Sequence, residues 1–372
     1  FTYANALVFV LVDGLIFILL TITGLRKKIF TAIPDAVRKA IPAGIGLFIA
    51  FLGLQNVGLV AKDASTGVTL GSFNLFNNAN VSWATVMPMI VTVLALVLIA
   101  VLSKKGVRGA VLWGILGGAA LYYVLGLTVP GFYGDLSSTL KIDFVGPFRD
   151  FGEMAFGKVF TEGFDFSAYV SAHGTADLVV VFITTSLAFC MVDMFDTIGT
   201  LVGTASRAGM VDKDGNMPKM KEALLSDAIG TIAGAATGTS TVTTFIESAS
   251  GVEAGGRTGL TALTTAVLFL ACMFLAPIAA IIPGAATSAA LIYVGVLMLQ
   301  GLKNVNFDDM DQMLPVSIML IGMPVSGSIG HAIGLGLISY TVVKVFSGKA
   351  KDVSVLTYVI SLLFLIKFFA VV

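Results

Sequence analysis

TGTSTVTTFIESASGVEAGGRTG, running from Thr237 to Gly259, is a polar stretch inside a chain that otherwise reads as one lipid-soluble segment after another. It is too rich in Gly, Ser and Thr for an ordinary lipid-facing helix, and it carries Glu247 and Glu253. A carboxylate at membrane depth costs at least about 2.5–3.5 kcal/mol, so it persists mainly where it faces a cavity. A broken, polar segment between apolar helices is also how many carriers build a midplane binding site. The β-branched run Ser240-Thr241-Val242-Thr243-Thr244-Phe245-Ile246 favours extended backbone over helix. Such backbone is tolerated at this depth only where it faces protein, water or ligand. Ser248-Ala249-Ser250-Gly251 then predicts the start of a short helix, with Glu247 at the junction. That placement makes Glu247 the first candidate for ligand contact, and Thr244, Phe245 and Ser248 join it by position.

Working outward, 57% of residues are hydrophobic and 12% are charged, against about 25% charged in soluble domains. Mean hydropathy is +0.97. The formal net charge of zero argues against nucleic acid as a partner. Apolar runs long enough to span a bilayer lie near 4–24, 41–61, 84–103, 108–128, 178–203, 258–283 and 353–371. Shorter or interrupted candidates lie near 221–239, 240–256, 286–302, 312–325 and 329–346, for about twelve segments in all. If these alternate across the membrane from an outer start, seventeen Lys and Arg residues fall inside and four outside, a bias that supports both the segment list and the orientation. The 129–175 loop is then external. Residues 48–55 echo 293–300, a weak internal symmetry of the kind inverted repeats leave.

Asp193 and Asp196, in AFCMVDMFDTIGTLVG, stand one helical turn apart on one face. Two such carboxylates cannot both be cheaply ionised, so the pair is expected to share a proton, an arrangement suited to proton coupling. Thr197-Ile198-Gly199-Thr200 reads as a helix break beside Asp196. Asp227, in LLSDAIGTIAGAATG, is expected to bond backbone amides of the broken segment and hold its shape. Glu253 is expected to pair with Arg257, and Asp308, Asp309 and Asp311 to complement a helix dipole. Asp13 is buried by sequence. Cys190 and Cys272 read as buried thiols without disulfide or metal spacing. GVEAGGRTG lacks the Lys-Ser/Thr of a phosphate-binding loop, and no hydrolase constellation or cofactor motif is present, so an enzyme is not expected.

MVDMFDTIGTLVG followed by SDAIGTIAGAATGTSTVTTFIESASGVEAGGRTGLTAL resembles the AzgA-like adenine/guanine/hypoxanthine permeases, a branch of the second nucleobase–cation symporter family. FTYANALVFVLVDGLIF, IPAGIGLFIAFLGLQNVGLV and DDMDQMLPVSIMLIGMPVSGSIGHAIGLG extend the likeness over nearly the whole chain. The resemblance implies an all-α polytopic membrane protein of fourteen spans, built as two inverted sets of seven with core and gate domains. It assigns 1–30 and 176–285 to the core, 31–128 and 286–347 to the gate, and leaves 348–372 as an additional apolar helix. Residues 4–24 correspond to span four and the polar stretch to span ten, so counterparts of spans one to three are missing and the chain reads as N-terminally truncated. By the same mapping Asp196, with Asp193 a turn earlier, and Glu247 face the nucleobase, while Asp227 and Thr197 support them. Secondary active transport of purines follows as the expected function, with H⁺ as coupling ion and Na⁺ left open, and no other cofactor. A uracil or xanthine carrier, an anion carrier of the same architecture and a non-transporting fragment are the alternatives. The expected partners are a purine nucleobase, the bilayer and a second copy in a homodimer.

Overall fold

A computed structural model describes residues 1–25, 33–76, 81–129, 143–207, 209–210, 217–245, 248–253, 255–279 and 281–370. Backbone alone is described at 187–188, 191–192, 195–196, 198–199, 202–203, 206–207, 249–250, 253, 304, 367 and 370. Among the described residues, six helices are long and apolar enough to cross a membrane: α1 (Tyr3–Ile22), α2 (Asp35–Asn56), α3 (Trp83–Lys104), α4 (Ala110–Thr128), the stretch Gly284–Lys303 and Ile329–Phe346. A bent pair, Ser167–His173 and Thr175–Ser186 at 114°, makes a seventh candidate. The chain divides into two compact units, one of Phe1–Pro42, Val145–Phe269 and Leu302–Val372, the other of Ala43–Phe144 and Leu270–Gly301.

The first unit is built around α1. Thr2 caps it reciprocally with Asn5, an N-terminal box that satisfies two otherwise orphaned amides. The Asn5 side-chain amide also donates to the carbonyls of Gly163 (2.8 Å) and Asp165 (2.9 Å), fastening α1 to the loop after α5 (Lys158–Thr161). Then come α6 (Ser167–His173), α7 (Thr175–Arg207) and α8 (Met220–Thr237), and α1 packs against both α7 and α8. At 33 residues α7 runs about 50 Å, well beyond the hydrocarbon core. Gly238, at φ 87°, ends α8, and 239–245 continue without helix before α9 (Ser248–Glu253). The β-branched run and Ser248 predict extended backbone followed by a short helix; the described residues show the loss of helix and the short helix after it.

Helix α10 (Gly259–Met273) buries none of its residues, so Cys272 is exposed, contrary to expectation, whereas Cys190 is buried. The apolar run 258–283 is not one helix. After α10 only a short turn, Ala276–Ala279, follows, with Pro277 and Pro283 removing backbone donors.

In the second unit α11 (Gly284–Met298) packs against α3 and α4, and against the C-terminal part of α2. The last contact has no room for side chains. A Cβ at Gly46 would lie 2.6 Å from the Gly295 carbonyl oxygen, and one at Gly53 would lie 3.0 Å from that of Ser288. The two halves of the sequence echo, 48–55 and 293–300, thus belong to helices that cross closely. Thr92 on α3 donates to the carbonyls of Pro88 and Ala285, both at 2.8 Å. The span expected at 41–61 differs from the structure. Its helix starts at Asp35, whose carboxylate pairs with Arg38 and Lys39 in the first turns, and stops at Asn56 before Gly58 at φ 77°. The remainder forms an antiparallel hairpin, β1 (Val60–Asp63) and β2 (Gly67–Leu70), paired Val60↔Leu70 through Asp63↔Gly67. This is a small departure from an all-α chain.

The first unit is completed by α12 (Met310–Ser326), α13 (Ile329–Phe346) and α14 (Val355–Ala370). Asp309 caps α12, as the Asp cluster predicts. Asp311 instead bridges Lys344 (2.8 Å) and Lys349 (2.7 Å), a three-charge cluster that sequence spacing does not suggest. His331 meets the Phe368 ring of α14 edge-on.

Candidate functional site

Asp227 is the junction of the polar region. It lies on the buried face of α8, with 7% of its surface exposed. Its Oδ2 accepts from the Thr197 hydroxyl of α7 at 2.8 Å, and its Oδ1 accepts from the Thr244 backbone N–H at 3.2 Å. One carboxylate therefore ties α7 to the non-helical segment 239–245 and satisfies an amide that no ladder reaches. In a low-dielectric interior, a charge-assisted bond of this kind is worth about twice a neutral one. Beside the bond, Val242 fills the space over Gly230 and Gly234 of α8, so small residues let the segment lie close.

Thr197 is fully buried and Asp193, one turn before it, is 4% exposed. Asp196 lies in the same helix, with its side chain outside the described residues. Helix α7 runs unbroken through Thr197–Thr200, where a break was expected. Within the continuous helix the Thr200 hydroxyl donates to the Thr197 carbonyl at 3.0 Å and that of Thr204 to the Thr200 carbonyl at 2.8 Å, while the Thr197 hydroxyl leaves the helix for Asp227. Asp196 therefore owes nothing to an adjacent break.

Glu247 and Ile246 lie outside the described residues. The residues flanking them do not: Phe245 is 67% exposed, and Ser248 begins α9 with its N–H on the Phe245 carbonyl at 3.1 Å. Thr244, Phe245 and Ser248 thus stand together at the junction, with Thr244 held by Asp227. The Glu253 side chain is also outside the described set, and Arg257 donates to the carbonyls of Val252 and Gly256. Among the described residues no three His, Cys, Asp or Glu side chains converge as metal ligands would. A separate polar recess of about 230 Å³, lined by Asp35, Arg38, Tyr340, Asp352, Ser354 and Thr357, includes none of the expected site residues.

Residues 1–324 match the Xan_ur_permease family model, described as a permease family. The chain is 39% identical to the guanine/hypoxanthine permease PbuO of Bacillus subtilis, over 99% of this chain and 78% of that protein. It is 36% identical to the adenine permease AdeP of Escherichia coli, over 94% of this chain and 71% of that one. Among solved structures, the transmembrane domain of the cyanobacterial bicarbonate transporter BicA superposes with a TM-score of 0.60, covering 90% of this chain and 77% of that domain. At 18% identity this likeness concerns the fold alone, and it agrees with the transporter architecture that the sequence resemblance implies. The chain belongs to the permease family, and with its apolar helices it is a multi-pass carrier of the cell membrane, not an enzyme.

Proposed function

We propose that this permease moves purine nucleobases across the cell membrane by cation symport, with H⁺ as the coupling ion. The observation that carries the reading is that Asp227 accepts two hydrogen bonds, one of which holds Thr244, three residues before Glu247 in the sequence, with the exposed Phe245 following it. A purine presents a planar edge of donors and acceptors. A carboxylate at a junction held in this way accepts its N–H groups in charge-assisted bonds, while an aromatic face beside it covers the ring. Glu247 is assigned the edge, with Asp196 opposing it from α7. Thr244, Phe245 and Ser248 shape the pocket, and Thr197 and Asp227 hold its frame. Asp193 is assigned to the coupling ion. The guanine/hypoxanthine and adenine permeases among the relatives support this substrate class over other nucleobases.

Uptake of radiolabelled guanine, hypoxanthine and adenine in cells without their own purine permeases tests the reading. Glu247→Gln keeps size and one acceptor but removes the charge. It should weaken purine affinity by about 1.5–3 kcal/mol, the worth of a hydrogen bond to a charged group. Unchanged affinity at normal surface expression would remove Glu247 from the site, and absence of saturable uptake by the wild type would sink the substrate class.

A further inference from the structure

We propose that Asp13 of α1 and Asp193 of α7 together bind one monovalent cation, H⁺ or Na⁺, at the junction of α1, α7 and α8. The assignment of Asp193 rests on the preceding reading; the addition of Asp13 rests on packing. Phe1 stacks on Tyr169 at 4.2 Å, and the Tyr169 hydroxyl donates to Asp177 at the start of α7 (2.7 Å). Farther along, Phe9 meets Phe182 at 5.0 Å and Phe189 at 6.4 Å, so α1 and α7 run side by side in the same direction. Asp13 follows Phe9 by one helical turn, and Asp193 follows Phe189 by one turn. The register therefore brings both carboxyls to the same interface one level beyond the rings. Asp13 is 0% exposed and Asp193 4%.

Two hydroxyls point to a ligand there independently. Ser186, 4% exposed, shares the α7 face of Phe182, Phe189 and Asp193. Thr231, 0% exposed, sits on α8 between Ala228 and Ile232, the residues that press on Gly14. The Oγ atoms of both have no hydrogen-bond partner among the described residues. In a membrane interior an unsatisfied buried hydroxyl is costly, and a bound cation or its water is the kind of partner that removes the cost.

The surrounding charges suit a single positive charge. Helix α7 carries Asp177, which accepts from Tyr169 at the helix start, the buried Cys190 thiol, and Asp196 and Arg207, whose side chains are not described. Helix α8 carries Asp227, occupied by Thr197 and Thr244, with Lys221 and Glu222 in its first turn. On α5, Lys158 pairs with Glu162. The sequence holds no Lys or Arg between Phe9 and Phe17 of α1, between Phe182 and Asp193 of α7 or between Ala228 and Ile232 of α8. Two carboxyls with hydroxyl neighbours accept H⁺ or Na⁺, and the absence of a third acidic or imidazole ligand among the described residues argues against a divalent ion.

The test needs no transport substrate. The thermal midpoint of the purified protein in detergent is measured in a pH titration at constant K⁺, and in a Na⁺ titration against N-methylglucamine at constant pH. The wild type should respond to one of these, which identifies the cation. Asp13→Asn and Asp193→Asn should each abolish that component, and the double variant should remove no more than either single one. A full wild-type response in Asp13→Asn overturns the proposal. Should Asp13→Asn fail to fold, carbodiimide labelling of the wild type decides: an adduct at Asp13 or Asp193 that the cation suppresses supports it, and none at either residue overturns it. In cells, Asp13→Asn should lower gradient-driven purine accumulation about tenfold, within the usual range of coupling, while leaving purine counterflow intact. Failure of purine uptake altogether would sink the substrate reading and leave the melting and labelling results standing.

Discussion

The first unit buries Asn5, Asp13, Asp193, Asp227 and Asp311 together with seven threonines or serines of α7, α8 and α14 and Thr21 of α1. Among the described residues the second unit buries only Thr92 and Ser288 as polar side chains. Thr92 is spent on two backbone carbonyls of its own unit. The charged side chains described in the second unit sit in the hairpin, at α3's end, in the turn after it or just before the boundary at Phe144. Its interior is instead a matter of close backbone approach: Gly46 on Gly295, Gly114 on Ile99, Gly118 on Ala95. Buried ionisable groups are expensive and have to be held, whereas small-residue contacts cost little and give rigid packing. One unit therefore carries chemistry and the other carries shape, and substitutions in the two should fail differently.

The largest effect is expected at Asp227. Asp227→Ala removes both acceptors and strands the Thr197 hydroxyl and the Thr244 amide. The loss should be about 2–4 kcal/mol of stability, from two buried donors left unpaired. Transport should be abolished as well, because the non-helical segment 239–245 loses its anchor ahead of Glu247. Denaturation in mixed micelles and purine uptake measure the two effects. An Asp227→Ala protein that melts like the wild type and still accumulates purines would show that this segment is held by something other than this carboxylate.

A smaller and different effect is expected in the second unit. Gly46→Ala places a methyl group 2.6 Å from the Gly295 carbonyl oxygen and from the Met298 side chain. Overpacking of that kind costs about 1–3 kcal/mol. The contrast lies in what survives: the folded fraction of Gly46→Ala should bind purine with wild-type affinity. A large loss of affinity in correctly folded Gly46→Ala protein would erase the distinction between a unit of chemistry and a unit of shape.

Both kinds of interior were unequally legible in the sequence. Helices α1, α3, α4 and α13 lie where their apolar runs lie, because length and hydropathy alone decide a lipid-spanning helix. The interruption of helix at 239–245 was legible from β-branched residues, and so was the bond from Asp227 to the backbone there. The start of α2 was not, since Asp35, Arg38 and Lys39 lower local hydropathy while their ion pairs support the helix. The continuity of α7 was hidden because β-branched residues and a glycine in Thr-Ile-Gly-Thr lower helix propensity, which the packing of α7 on α1 and α8 overrides. The bridge from Asp311 to Lys344 and Lys349, spanning more than thirty residues, is set by how α12 and α13 pack, and no periodicity records it.

The smallest effect belongs to the charged tip of the second unit. Asp63 Oδ1 accepts from the backbone N–H of Ser65 and Thr66, both at 2.9 Å, and from their hydroxyls at 2.6 and 2.9 Å. These bonds, led by the Ser65 hydroxyl and the two backbone amides, hold its carboxyl well below the usual carboxylate range. The sign follows from linkage: a folded-state value below the unfolded one gives support that is complete above the ordinary carboxylate pKa of about 4 and is lost as pH falls toward the depressed value. Between neutrality and about pH 5 the hairpin should therefore keep its protection, and it should loosen only in stronger acid. Asp63→Ala should mimic that acid state at neutral pH. Hydrogen exchange of a peptide covering Lys62–Val68 should quicken, while the helices of both units and purine affinity stay unchanged. The side chain sits half-buried at the end of β1 and, among the described residues, bonds only to the two residues that follow it, so the effect stays local. Exchange at wild-type rates in Asp63→Ala would mean that the Val60–Leu70 pairing holds the hairpin without its turn, and the second unit would then be shaped by backbone packing alone.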